Sequence, residues 1–487
     1  MKNNCFLLIL YTLILFGCKQ ELPEATRING VAKIFPDYNG VTIPPNIAPL
    51  NFRLKGSSEG IAILSNKKEL IRLDSKNGTF EIPLKNWRKL LTESAGDSIQ
   101  VKLYVRKGNQ WLCYDPFPIY VANDPIDSYL AYRLIAPGYR MWNEMGIYQR
   151  CVEDFDEDAV LNNKLTNNNC MNCHSFCMQN PKRMLFHQRT THGGTYVVID
   201  NKIEKLNTKT KETISALVYP SWHPSGKYVA FSTNETKQDF HLSGPNRVEV
   251  FDNESDVVFF DVEKQEIFSN PKLFTKGNYE TFPTFSPDGK RLYFCSAPAK
   301  KMPEEFDQIK YNLLSIAFDP ETRTFGNVID TLYHADREGR SVKFPRVSPD
   351  GKYLLYTLSN YGNFSIWHKD ADLRMLNLAT QKVDSLQKVN SDDAESYHSW
   401  SSNSRWFVFS SRRMDGLYTR PYICYFDKNG VAGKPFLLPQ KDTYYYDESL
   451  LSFNIPEFIK GKIKVDTNEL VHVSKTDPGI DIPFVSR

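Results

Sequence analysis

Phe282-Pro283-Thr284-Phe285-Ser286-Pro287-Asp288-Gly289-Lys290, followed by Arg291-Leu292-Tyr293-Phe294, is a unit that the second half of this chain repeats. Tyr219-Pro220-Ser221-Trp222-His223-Pro224-Ser225-Gly226-Lys227 precedes it with Tyr228-Val229-Ala230-Phe231-Ser232 attached, and Phe344-Pro345-Arg346-Val347-Ser348-Pro349-Asp350-Gly351-Lys352 follows with Tyr353-Leu354-Leu355-Tyr356. A worn fourth copy begins at Tyr397-His398-Ser399-Trp400 and ends in Trp406-Phe407-Val408-Phe409. Self-similarity at about 50 to 65 residues signals a repeat architecture. Pro-Asp-Gly and Pro-Ser-Gly make a tight turn between two strands, because Pro presets φ at one corner and Gly accepts a positive φ at the other. Each copy therefore predicts one hairpin of a four-stranded blade, and residues 193–487 predict a β-propeller. Six blades are expected, with five or seven compatible with the spacing. Gly193 to Val198 and Asp447 to Phe453 remain to supply outer strands or further blades.

Upstream the texture differs. Residues 31–123 contain short apolar runs, including Leu50 to Leu54, Gly60 to Leu64 and Thr79 to Leu84, and Ser98 to Val105 alternates at period two. These predict a small Ig-like β-sandwich that serves as a spacer or a binding module. Between 124 and 192 the apolar residues Tyr129 to Ile135, Met145, Ile147, Val152 and Val160 recur at mixed helical spacings, which predicts a short helical segment. The fold class is thus mainly β, with one helical insert.

Inside that insert stands Cys170-Met171-Asn172-Cys173-His174. Two thiols three positions apart can each form a thioether to one porphyrin, and the adjacent imidazole is placed to become the proximal iron ligand. One haem c is the expected cofactor, with Cys170 and Cys173 as attachment points and His174 on the metal. The sixth ligand decides between electron transfer and ligand chemistry. His187 is the first candidate, then Met184, His192 and Met178; His223, His241 and His398 read as structural. A zinc site would take Cys170, Cys173 and Cys177 but leaves the adjacency of His174 unexplained. A thioredoxin-like pair lacks its βαβ surroundings.

At the N-terminus, Lys2, the apolar run Phe6 to Phe16, and Gly17-Cys18 read as a signal peptide over 1–17 with lipid on Cys18, followed by a lipidated tether over 18–30. The run is too short to span a bilayer of about 30 Å. The expected location is the cell envelope, anchored to the outer membrane on its periplasmic side, with the cell surface also compatible. A formal charge of +3, from 60 basic and 57 acidic residues with no basic run, excludes nucleic acid as the expected partner. Cys113, Cys151, Cys177, Cys295 and Cys424 remain, an odd number in which Cys113 and Cys151 could pair. The acidic stretch Asp252 to Asp256 could hold Ca²⁺ but reads more naturally as a solvated loop. No GxSxG turn occurs, so the hydrolase chemistry of propeller peptidases is not expected. One haem moves one electron. The expected role is therefore non-enzymatic, either an electron relay to an envelope partner docked on the propeller or haem edge, or a binding scaffold.

The repeats resemble the WD40-like, PD40-type propeller repeats of the periplasmic Tol-type translocation protein and of oligopeptidases. The whole order is similar to a family of Bacteroidetes envelope lipoproteins with a lipobox, a small β domain, a CxxCH segment and a Tol-like propeller. The likeness rests on Phe35 to Tyr38, Ile43 to Phe52, Gly146 to Arg150, Asn169 to Phe176, Tyr219 to Asn234 and Gln238 to His241. It implies the propeller fold and an envelope location, and names no substrate.

Overall fold

A computed structural model of the chain describes residues 21–56, 59–137, 144–244 and 246–485; the signal segment and Cys18 lie outside them. Six antiparallel sheets of four or five strands make up its larger part. Their innermost strands neighbour one another in order and close into a ring, the arrangement of propeller blades around a channel.

Blade 1 is built from both ends of this region. Ser452–Ile459 is its inner strand, followed outward by Tyr129–Ile135, Met145–Cys151 and Glu157–Asn162. Blade 2 runs outward through Met171–Phe176, Arg183–Gln188, Gly194–Ile199 and Lys202–Asn207. Blades 3 to 6 begin at the inner strands Val218–Trp222, Asn278–Phe285, Ser341–Val347 and Glu395–Trp400. Ile480–Asp481 and Phe484–Val485 add parallel fifth strands to blades 2 and 3, and the helix Thr467–Thr476 straps blade 1 to blade 2. Asp466 caps that helix through Asn468 N–H at 2.8 Å, and Ser474 Oγ donates to Gln188 at 2.8 Å.

The segment read as helical is sheet. Tyr129–Ile135 hydrogen-bonds to Met145–Cys151 on one edge and to Ser452–Ile459 on the other. Leu130, Ala131, Tyr132, Leu134 and Ile135 are all buried. A strand covered on both faces loses its alternation, and its apolar run then mimics a buried helix. The ring therefore starts at Tyr129, not at residue 193, and Gly194–Ile199 is the third strand of its second blade.

The turn reading corresponds to what is observed. Gly289 has φ +72, and a Cβ there would overlap the His223 imidazole, whose Nε2 lies 3.1 Å from the Gly289 carbonyl. This stitches the blade 3 turn to that of blade 4. Ser286 Oγ donates to Asp288 at 2.5 Å, and Ser348 repeats the bond to Asp350 at 2.6 Å.

The N-terminal region also departs from expectation. A seven-stranded sheet and a three-stranded sheet share one core, with parallel edge pairs and a helix over Leu84–Thr92, which is not the four-on-three immunoglobulin arrangement. Ala25–Ile28, placed in the tether, pairs with Gln110–Tyr114. The region packs directly on the ring. Its core is continuous with Trp400, Trp406 and Phe426 of blade 6, and Asp127 accepts from Ser402 N–H at 2.7 Å and Oγ at 2.6 Å. Cys113 and Cys151 are both free thiols.

Candidate functional site

One backbone irregularity builds the site. Every inner strand carries a single residue of left-handed φ: Cys173 (+56), Tyr219 (+50), Phe282 (+51), Phe344 (+52), Tyr397 (+46) and Ile455 (+51). Proline follows four of them, and histidine follows Cys173 and Tyr397. The ladder register shifts at each, as a bulge requires. Cys173-His174 and Ile455-Pro456 are therefore the fifth and sixth copies of the repeat, with the aromatic lost. The bulges aim their residues into the channel, where Tyr219–Phe282, Phe282–Phe344 and Phe344–Tyr397 ring centroids lie 4.9, 4.2 and 5.0 Å apart. Cysteine is the smallest of the six side chains, so this belt is thinnest at blade 2.

The bulge also solves a parity problem. Residues three apart in a regular strand face opposite sides. With the register shift between Asn172 and Ser175, Cys170, Cys173 and His174 all line one cavity of about 500 Å³ in the channel. The three are 5%, 3% and 2% exposed. Burial pushes the His174 imidazole down to about 3, with Arg133 adding to the effect, so the ring is neutral at physiological pH. Neither of its nitrogens makes a hydrogen bond of good geometry, although the Ile455 backbone lies near enough to pull the other way. A buried imidazole with both nitrogens unmet is uncommon unless a ligand or metal completes it. Burial raises the Cys173 thiol. Two cysteines and a neutral imidazole in the wall of the cavity, with aromatic rings beside them, suit the donor set of haem c.

The other predicted residues are dispersed. His187, on the second strand of blade 2, is buried with Nδ1 3.3 Å from Thr195 Oγ1, and it does not line the cavity. Met184 packs in the core with Phe186 and Tyr196. His192 lies 3.0 Å from Asn167 in a short 3-10 turn, outside the cavity. Met178 does line it. So does His398, which was read as structural: its Nε2 donates to the Leu355 carbonyl at 3.0 Å, while Nδ1 is unmet. His241 lies 3.9 Å from Glu249.

The aromatic wall of the cavity comes from blades 3 to 6, and the segment 129–161 adds Arg133 and Ile135. A signal for it was present, because the aromatic residue heading each repeat marks the belt. Cys177 turns away, toward the His223 carbonyl at 3.7 Å, and among the described residues no group of three His, Cys, Asp or Glu side chains is placed to hold a metal ion. The Asp252 to Asp256 stretch is no loop but part of the strand Val248–Asp261. There Asp252 accepts from Asn234 at 2.9 Å, and burial pushes its carboxyl up to about 7. No described helix is long and apolar enough to cross a membrane.

No protein-family model and no curated protein sequence matches the chain. Among solved structures it is similar to the tricorn protease (12% identity, TM-score 0.35), covering 70% of this chain and 34% of that one. A DUF4784 family protein from Bacteroides caccae matches at 7% identity and TM-score 0.31, over 74% of this chain and 95% of that one. Porphyromonas gingivalis dipeptidyl peptidase 4 matches at 10% identity and TM-score 0.31, over 85% of this chain and 60% of that one. The chain thus spans about a third of the tricorn protease's length.

Proposed function

We propose that this chain is a lipid-anchored envelope protein that carries one haem c inside a six-bladed propeller and passes single electrons between partner proteins. The observation that carries the reading is that Cys170, Cys173 and a buried, neutral His174 all line one channel cavity. Cys170 and Cys173 would hold the group as thioethers, and His174 would bind its iron. Bound there, haem supplies a one-electron couple tuned by its axial ligands and by burial. The chain's own residues do the rest. Burial keeps His174 in the neutral form that ligation needs, and the belt of Tyr219, Phe282, Phe344 and Tyr397 narrows the channel against water. His398 and Met178 are the sixth-ligand candidates in the cavity wall, which displaces His187 from first place. Lipid on Cys18 would hold the ring at the membrane, within reach of envelope partners.

One observation favours a second reading. Cys173-His174 occupies the place of Tyr219-Pro220 and its equivalents, so the pair can close a blade without any cofactor, in a propeller that binds another ligand as a scaffold. Protein from its own envelope, weighed and examined by absorption, separates the two. A tetrapyrrole mass increment that disappears in Cys173→Ala, with a low-spin haem spectrum, supports the electron carrier. A colourless protein of unmodified mass refutes it.

A further inference from the structure

Blade 3 carries a ribbon that the other blades lack. Its second and third strands, Tyr228–Phe240 and Val248–Asp261, run for 13 and 14 residues, against six to eight in the corresponding strands of the rest of the ring. The excess of about six residues carries the ribbon about 20 Å beyond its blade. A bulge marks the junction. Glu235 pairs with Glu254 and Thr236 with Asp252, which leaves Asn253 as the extra residue, and a bulge bends the strand that holds it.

Beyond the bulge the ribbon belongs to the channel. Thr236, Gln238 and Val250 line the cavity, whereas the connection of blade 4, residues 299–311, lends no residue to the described wall. Phe306 of that connection packs instead against Phe251 of the ribbon, with 6.1 Å between centroids. The ribbon therefore passes over blade 4, and it is fastened to blade 5. There Glu249 accepts from the Tyr361 hydroxyl at 2.6 Å and from His368 Nε2 at 2.9 Å, Asn246 donates to the same hydroxyl at 3.1 Å, and Asp252 accepts from Asn363. Glu249 and His368 are 3% and 1% exposed. The segment that receives the ribbon is itself part of the wall: Phe364, Ile366 and Trp367 line the cavity, and the Phe364 ring lies 5.7 Å from Tyr219 of the belt.

This fastening is polar, and it can be undone without opening a blade. Lifting the ribbon exposes carboxylate, imidazole and amide groups that water satisfies, while Phe231, Val258 and Phe260 stay in the apolar core of blade 3. A two-stranded ribbon is marginal without such support. We infer that residues 236–240 and 248–252 form a gate over the channel mouth, hinged at Asn253 and latched on blade 5 through Glu249, whose opening sets the rate at which a ligand reaches Cys170 and Cys173. This rests on the cavity being the functional site, as the haem reading has it, and not on which ligand fills it.

The test reads the thiols themselves. The full mature chain, produced without haem-attachment machinery and reduced, is treated with iodoacetamide at one pH, and alkylation is followed peptide by peptide by mass spectrometry. Cys424, fully buried in blade 6 and outside the cavity, reports opening of the blades. Reagent that is slow relative to reclosing measures the open population. Glu249→Gln should speed alkylation of Cys170 and Cys173 by about tenfold and leave Cys424 unchanged. In a second variant the turn Asn-Gly replaces residues 236–253, so that Glu235 and Glu254 close a short hairpin. It should give the fastest reaction at both cavity thiols, and His368→Gln should add nothing to it. Cavity thiols that react no faster in either variant overturn the gate, and so does an equal rise at Cys424, because the ribbon would then open only with the blades. The mass of protein from the native envelope is read separately. Unmodified mass with faster thiols sinks the haem and keeps the gate, and a haem increment with unchanged thiols does the reverse.

Discussion

Glu457 offers a sharp test of how the channel is built. It sits near the end of the inner strand that closes the ring, accepts a hydrogen bond from Phe176 N–H at 3.2 Å and faces Arg346. Its accessible surface opens on the cavity. Burial pushes its carboxyl up to about 7, against the opposing pull of Arg346, from an unfolded value near 4.5. A folded value above the unfolded one means that the native state holds the proton more tightly. The stabilisation is therefore complete below about pH 4.5 and is lost as pH rises through 7. The difference corresponds to about 3 kcal/mol, which water in the cavity trims to about 1–3 kcal/mol. Glu457→Gln removes the titration and keeps an acceptor for Phe176. The variant should match wild type at pH 5 and be more stable by about 1–3 kcal/mol at pH 8. Asp252, Asp256 and Glu280 are also raised to about 7, but they are common to both proteins and cancel in the difference. Urea unfolding followed by tryptophan fluorescence at the two pH values gives the comparison. A variant equally or less stable at pH 8, or one with the same difference at both pH values, refutes the placement of Glu457 in a desolvated wall.

Phe282→Ala removes a belt ring that touches Tyr219, Phe344 and Phe364 and should cost about 3–5 kcal/mol in denaturant unfolding. Truncation after Leu451 takes away the closing strand and the fully buried Phe453, Phe458, Ile459 and Leu470. At about 1.5–3 kcal/mol each, their loss rivals the whole stability of a domain, and cooperative melting should vanish from the calorimetric trace. Gly289→Ala forces a Cβ into His223 at φ +72 and should lower stability by more than about 1 kcal/mol. In haem-loaded protein, His187→Gln should leave the absorption bands in place, because that ring faces Thr195 outside the cavity; a changed spin state would return it to the list of ligands.

Four of the six bulged inner strands are legible in the sequence: three carry an aromatic-Pro pair and a Pro-Asp-Gly or Pro-Ser-Gly turn, which are local chemistry, and the fourth, at Tyr397-His398, keeps the aromatic residue ahead of an apolar second strand. The fifth and sixth are not. Cys173-His174 has exchanged both residues of the pair, and Ile455-Pro456 kept its proline but lost the aromatic ring and the following turn. Tyr129–Ile135 was misread because its partners are Met145–Cys151 and Ser452–Ile459, and local periodicity carries no trace of a strand more than 300 residues away. His187 ranked above His398 on nearness in sequence. Nearness along a strand says nothing about which side of the sheet a ring faces.

By itself the chain's order of residues determined the repeat, the turns and the cysteine-histidine spacing, all of which depend on neighbours within about ten positions. Only the tertiary structure decided that Cys170, Cys173 and His174 share one cavity, that four aromatic rings from four blades wall it, and that Arg133 and Arg189 line it as well. The reason is ring closure. A channel is made of one strand from every blade, so its chemistry is assembled from residues that the chain keeps far apart.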